Sequence, residues 1–450
     1  MKVVKFGGSS LATGANLNQI FQIVTADPER KIVVVSAPGK RFKEDAKVTD
    51  LLIDLATKAL LEEDTTVLFE QIIARYQEIA EQTGTDASIV EQIRSDLKRR
   101  IDSDKANPDL FMDLIKASGE DNNAKLVAAF FTGKGIPAQY VNPKEAGLIV
   151  TDEHANAQVL SESYAKLHQL RNADQLVIFP GFFGYTNSGQ ISTFSRSGSD
   201  ISGAILANAV NADLYENFTD VDAVFTVNPG FVKHPLEISE LTYREMRELA
   251  YAGFSIFHEE ALIPAFQAGI PVHIKNTNNP DSRGTKIVRK RECSAGPVVG
   301  IASDSGFSRI YISKYLMNRE IGFGRRVLSI LEKNGLTFEH MPSGIDDLTL
   351  ILRGNQLNPT LETRVAEALK RELGADDVAI EHDISLVMIV GESMRHSIGT
   401  THRASRALAE AGVNIEMINQ GSSEVSIMFG IKKDFEKTAI QALYQEFFAE

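Results

Sequence analysis

At 450 residues, 43% of them hydrophobic and 24% charged, the chain has apolar material for roughly two to four domains with a sizeable core. A single cysteine, Cys293, excludes an intrachain disulfide framework, and no apolar run approaches the roughly 20 residues of a membrane span. A formal net charge of −13 gives no electrostatic reason to bind nucleic acid or an anionic membrane, so an anionic ligand must be met by local positive groups.

The first residues show no charged segment followed by an apolar one, and the chain is expected to stay in the cytoplasm. There the sequon Asn217-Phe218-Thr219 carries no glycosylation signal. Residues 1–40 read as strand, turn, an amphipathic helix through Leu17, Ile20, Phe21 and Val24, a break at Asp27-Pro28, and the apolar strand KIVVVSAPG. Continuous β-branched runs belong to strands covered on both faces. QLVIFPGFFG at 175–184, ADLYENFTD at 212–220 and IPVHIKN at 270–276 repeat the pattern, with helical stretches at 122–133 and 200–210 between them. Strands alternating with helices predict a mostly parallel α/β sheet whose ligands sit beyond the carboxyl ends of the strands. Residues 57–118 interrupt the alternation and read as a helical insertion beside that site. Near 295–305 the texture turns to glycine, proline and serine, predicting a boundary that ends a catalytic domain at about 297. Beyond it two weak copies of about 70 residues follow, 306–383 and 384–450, each βαββα with a closing strand clear only in the first. This is the pattern of ferredoxin-like α+β modules.

Four stretches carry candidate chemistry. KFGGSS at 5–10 is either a βα turn or a phosphate cradle of backbone N–H groups beside one ammonium. It matches neither the Walker A nor the GxGxxG pattern. STFSRSGSDISGA at 192–204 sets Arg196, Ser199 and Asp200 around Gly198 before a helix, where Ser199 or Asp200, read alone, is as well explained as a cap. KASGEDNNAKL offers Ser118, Gly119 and Glu120, again a plausible cap before a helix. ENFTDVDAVFTVNP ends a strand at Thr219 and Asp220, and by itself reads as an ordinary turn.

Taken in order, KFGGSS, SAPG followed by VTDLL, SGE, SRSGSD, TDVD, IKNTNNP and the tandem repeat resemble aspartate kinases of the amino-acid kinase superfamily, whose C-terminal modules are ACT domains. The resemblance covers essentially the whole chain. It implies transfer of the γ-phosphoryl of Mg-ATP to the β-carboxylate of L-aspartate, giving 4-phospho-L-aspartate, the first step toward lysine, threonine and methionine. By motif matching, Lys5 and Asp200 are the catalytic pair. Lys5, Phe6, Gly7, Gly8, Ser9, Thr219, Asp220 and Phe225 would meet ATP, while Thr49, Glu120, Arg196 and Ser199 would hold aspartate. The residue types suit the task, because a carboxylate nucleophile and a polyphosphate repel by about 1–4 kcal/mol per charge pair at 4 Å. Lys5, the glycine amides and magnesium carried by ATP, rather than held directly by the protein, would offset that repulsion.

Five positions depart from the family pattern. The usual GRGGSD reads SRSGSD, a tyrosine is Phe225, a nucleotide-side arginine is Gly230, and a lysine is Ser255; Lys275 is a candidate replacement charge. The ACT-like pair implies a homodimer and an amino-acid effector, lysine or threonine, with Met317, Glu320, Gly324 and Glu339 as candidate contacts. An equally weighted reading is that this loop caps its helix and packs the dimer. Two further readings are a glutamate or acetylglutamate kinase, and a catalytically weakened amino-acid sensor.

Overall fold

A computed structural model describes residues 1–449 apart from Arg196, 255–259, 293–295, Ser422 and Glu424. The chain divides into two compact bodies, one of residues 1–224, 237–247 and 256–291, the other of 225–236, 248–255 and 292–450. Both 225–236 and 248–255, which the sequence reading gives to the catalytic domain, therefore belong with the C-terminal modules.

The first body is built on an eight-stranded sheet. Its order runs from Glu240–Thr242 through Thr285–Val288, Val272–Asn276 and Leu214–Thr219 to β1 (Lys2–Phe6), β2 (Arg30–Val35), β4 (Leu176–Pro180) and β3 (Ala138–Tyr140). Every neighbouring pair is parallel except Val272–Asn276 with Thr285–Val288. The register decides where the site lies. Phe6 pairs with both Val35 and Phe218, Val35 with Pro180, and Thr219 with Asn276, so five adjacent strands end level. KFGG, SAPG, PGFF, TDVD and NTNNP leave those ends side by side.

Helices α1 (Gly14–Thr25), α2 (Val48–Leu60), α3 (Thr66–Thr83), α4 (Ser88–Ile101) and α5 (Pro108–Gly133) pack on this sheet. Ile72, Tyr76, Ile93 and Leu97 join one core with Leu52, Leu55, Val4 and Val33, so α3 and α4, within the 57–118 segment, share the core of the sheet. KFGG is followed by a four-residue 3-10 turn, Gly8–Leu11, and α1 begins only at Gly14, where the Thr13 side chain caps it. No α-helix N-terminus stands directly behind KFGG.

In the second body, strands Asp347–Arg353, Gly300–Ser313, Asp377–Val390, Ser426–Lys432 and Met417–Asn419 form one sheet in that order. Strands Gly300–Ser313 and Asp377–Val390 each have 14 residues and pair antiparallel along their length. Two cores lie along them, one around Ile310, Val327, Leu350 and Leu369, the other around Ile301, Val387, Leu408, Phe429 and Leu443. The closing strand that the second sequence repeat lacks is supplied from before the first: Ile301 pairs with Ile389 and Ser305 with Ser385. LTFEHM at 336–341 is not a regular strand. Two isolated bridges, His340 to Ile351 and Ser343 to Leu348, and hydrogen bonds from Glu339 N–H to Ile351 O and from Thr349 N–H to Pro342 O join this region to the sheet. Pro342, which has no N–H to donate, falls between the two bridges.

Candidate active site

The turn after β1 is shaped by backbone packing. Gly7 N–H donates to Phe218 O at 3.2 Å, and Gly39 N–H donates to Gly8 O at 2.8 Å. A Cβ on Gly8 would lie 2.9 Å from Ala37 O, and one on Gly39 2.5 Å from the Gly8 carbonyl carbon, so KFGG and SAPG fit together only as glycines. Phe6 points away from this surface. Its ring is fully buried and stacks on Phe218 at 4.9 Å, leaving only its backbone for a nucleotide. Ser9 is exposed, whereas Ser10, which the sequence reading passed over, is buried with Oγ 2.7 Å from Thr277 Oγ1.

Lys5 and Asp200 meet here. Lys5 Nζ lies 2.6 Å from Asp200 Oδ1, and each side chain is 9% exposed. Asn217 Nδ2 donates to the same oxygen at 2.6 Å, so the residue that heads the sequon is a buried partner of the Lys5–Asp200 pair. Asp200 and Ser199 stand in the first turn of the helix Gly198–Ala209, with Ser199 buried against Gly181, where a Cβ would come within 2.6 Å of Ser199 Oγ. Ser197, at a glycine position of the family pattern, adopts the left-handed conformation with φ 61°. The backbone keeps the glycine geometry at a cost of about 1–2 kcal/mol for a side chain there. Arg196 lies outside the described residues.

Glu120 does not precede a helix; it is inside one. α5 starts at the Asn107 cap with Pro108 in its first turn and runs unbroken through Ser118-Gly119-Glu120. Ser118 Oγ returns its proton to Ile115 O, and Gly119 lets the helix approach Ala37 and Leu52, where a Cβ would sit 2.9 and 3.0 Å away. Glu120 itself is buried. Burial pushes its carboxyl up from 4.5 to about 7, against the pull of the Ala37 N–H and of Lys116 one turn earlier. Its Oε2 has no hydrogen-bond partner among the described residues, which for a buried carboxylate is costly unless a ligand answers it. Lys116, also missed from sequence, pairs with Asp113 Oδ1 at 2.8 Å and donates to Thr193 Oγ1 at 3.2 Å. Asp113 in turn takes the Thr193 N–H and hydroxyl, fixing the start of the SRSGSD segment. Thr49 stands in the first turn of α2, half-buried.

On the other side, Thr219 Oγ1 donates to Asp220 Oδ1 at 3.2 Å, and Asp220 is exposed. Asp222 organises this loop, accepting from Asn276 Nδ2 at 2.9 Å and Asn279 Nδ2 at 3.2 Å. The TDVD and NTNNP turns are thus one structure. Phe225 and Gly230 fall in the second body, Ser255 falls outside the described residues, and Lys275 is half-buried in the Val272–Asn276 strand.

In the second body, Met317 is buried in the core of the first module. Glu320 pairs with Lys314 and Arg326, which hold its carboxyl below the usual range, with the Lys314 hydrogen bond the largest cause. Gly324 opens the helix Phe323–Lys333 with free space around it, and Glu339 accepts from Tyr251 Oη and lies 3.4 Å from Arg353. A cavity of about 260 Å³ in this body is lined by Arg309, Asp347 and Glu416 and by none of these four.

The amino acid kinase family model matches residues 1–276 and an ACT domain model matches 387–447. The chain is 64% identical over 449 residues to Aspartokinase 3 of Bacillus subtilis, covering 100% of this chain and 99% of the relative. It belongs to the aspartokinases of the amino acid kinase family. Aspartokinase 1, chloroplastic, of Arabidopsis thaliana is 26% identical over 99% of this chain and 80% of its own length. The crystal structure of Clostridium acetobutylicum aspartate kinase superposes with a TM-score of 0.88 at 35% identity, covering 99% of this chain and 100% of that one. E. coli aspartokinase III, in complex with aspartate and ADP, shares the fold over 100% of both chains with a TM-score of 0.79 at 23% identity.

Proposed function

We propose that the chain transfers the γ-phosphoryl of ATP to the β-carboxylate of L-aspartate, forming 4-phospho-L-aspartate, with the residues above in the roles their motifs imply. The observation that carries this reading is the buried Lys5–Asp200 pair at the level strand ends beside KFGG. An ammonium held at 9% exposure keeps its strength toward a phosphoryl group as charge develops on the transferred oxygens. The Gly8 N–H lies on the same turn and adds to it, while that of Gly7 is taken by Phe218 O. On the substrate side, the unpartnered Glu120 oxygen suits the α-ammonium of aspartate, Ser199 and Thr49 offer hydroxyls, and Arg196 supplies the fork for a carboxylate. An ionised substrate carboxylate needs no general base, so positioning and electrostatics are the whole of the chain's task.

Magnesium would be carried by the triphosphate, with the Asp200 carboxylate, paired with Lys5 beside the KFGG turn, available to orient it. When bound, magnesium would neutralise charge on the phosphate oxygens. The ACT modules would bind an amino-acid effector, lysine or threonine, around Met317, Glu320, Gly324 and Glu339, and join two chains into a dimer. Ile321, Ile345 and Tyr315, at 96%, 69% and 72% exposure, support an apolar contact with a second copy. No helix among the described residues is long and apolar enough to cross a membrane.

Purified protein incubated with Mg-ATP, aspartate and hydroxylamine is expected to yield aspartyl hydroxamate. Product with glutamate or acetylglutamate but none with aspartate would replace the substrate; no product with any carboxylate would remove the kinase reading.

A further inference from the structure

Two consecutive residues of α3, a helix outside every sequence motif of the site, reach its two halves. Arg75 is 4% exposed and directs its guanidinium at backbone: Nη2 donates to Gly39 O at 2.6 Å and Nη1 to Ala46 O at 2.9 Å, with the Asp45 carboxylate 3.0 Å away. Gly39 passes the contact on, because its own N–H donates to Gly8 O at 2.8 Å. One residue therefore separates the Arg75 guanidinium from the glycine turn. Tyr76, fully buried, donates to Gly119 O at 2.9 Å, one residue before Glu120.

Between Gly39 and Val48 the chain reads KRFKEDAK, charged and mostly exposed, with no hydrophobic side of its own to hold it down. Its start and end are closed by Val48 N–H to Pro38 O at 3.1 Å, and its middle by Arg41, which pairs with Asp45 at 2.9 Å and with Glu78 of α3 at 2.6 Å. Arg75 is the group that ties both arms of this loop, at Gly39 and at Ala46, to the helix. A lysine has one compact ammonium and could not span the two carbonyls with fixed geometry.

We propose that Arg75 is a positioning residue for the nucleotide: by fixing Gly39 it sets the Gly8 carbonyl, and with it the direction of the Ser9 N–H, which shares that peptide plane, toward the triphosphate. The proposal rests on the kinase reading above. Arg75→Ala and Arg75→Lys, each checked for folding by thermal unfolding, are to be assayed with ATP and aspartate varied separately. The KM for ATP is expected to rise about tenfold in Arg75→Ala and less in Arg75→Lys, with the KM for aspartate within about twofold of the parent. Gly39→Ala, which attacks the same contact from the loop, is expected to show the same ATP-selective rise. An unchanged KM for ATP in a folded Arg75 variant overturns the proposal, and so do equal rises for both substrates. A rise in the Arg75 variants with none in folded Gly39→Ala overturns the route through Gly39. If Arg75→Ala does not fold, Arg75→Lys and Gly39→Ala decide. The parent protein is run alongside: no product from it would sink the kinase reading, whereas product from it with unchanged variants sinks only the role of Arg75.

Discussion

The strand ends of the first body and the loops of the second dispose of their side chains in opposite ways. In the first, Lys5, Asp200, Ser199 and Glu120 are all buried, and small residues let backbone close around them. In the second, Ile321 and Ile398 occupy equivalent places just before the first helix of each module, and both are fully exposed, at 96% and 103%. Burying charge strengthens it toward a reacting group and raises the cost of leaving it unmatched. Leaving isoleucine in water stores affinity for another surface. On the proposed reading, one body is prepared for chemistry and the other for contact.

Lys5→Met is the strongest test of that contrast. It is expected to lower kcat on the order of 10²–10³-fold in the hydroxamate assay, and to lower the melting temperature because Asp200 is left buried with only Asn217. Adding Asp200→Asn should recover stability but not turnover; near-parental turnover in Lys5→Met would mean the buried ammonium is structural. Next, Glu120→Gln is expected to raise the KM for aspartate about tenfold or more, the loss of one charge-assisted bond. The titration of Glu120 adds a signature of its own. Its carboxyl is raised from 4.5 to about 7 in the folded chain, so its contribution to stability is complete below about 4.5 and is lost as pH rises through about 7. Unfolding measured across that window should lose this slope in Glu120→Gln. Aspartate binding near pH 6.5 should also release a proton, since the α-ammonium favours the ionised carboxylate; calorimetry in buffers of different ionisation heat would read it, and no release would separate Glu120 from the ammonium.

The second body predicts smaller effects. Glu320→Ala, which leaves Lys314 and Arg326 unpaired at the loop, is expected to shift the concentration of lysine or threonine needed for inhibition several-fold while kcat stays at the parental value. If neither amino acid changes the parent's rate, feedback by these two is excluded. Ile321→Asp should weaken dimerisation by about tenfold in sedimentation equilibrium, the value of one buried isoleucine. Comparison with Ile398→Asp would show whether both modules or only the first meet the second copy.

Much of this was legible in the chain. The apolar runs at 32–35 and 176–180 are strands buried along their length, as runs covered on both faces should be, whereas the strand at 272–276 alternates buried and half-buried residues. KFGG, SRSGSD and TDVD were recognisable because close backbone approach and fixed charge restrict the residue types allowed. Where residue type permits several structures, the reading failed. SGE looked like a helix cap because serine and glycine usually sit at ends, yet α5 carries both through its middle to bring Gly119 against Ala37. LTFEHM had the pattern of a strand, but pairing needs a partner in register, and isolated bridges and single hydrogen bonds form instead of a ladder.

The chain by itself therefore determined the alternation of elements, the family, and the set of charged and small residues that the reaction requires, since these follow from local pattern and chemistry. Tertiary structure alone decided which of them touch. That Asn217 supports Asp200, that Arg75 reaches Gly8 through Gly39, and that residues 300–305 close the module at 385–432 are contacts across 17, 67 and at least 80 positions of chain. Sequence spacing carries no information about such contacts until the sheet register brings the partners level.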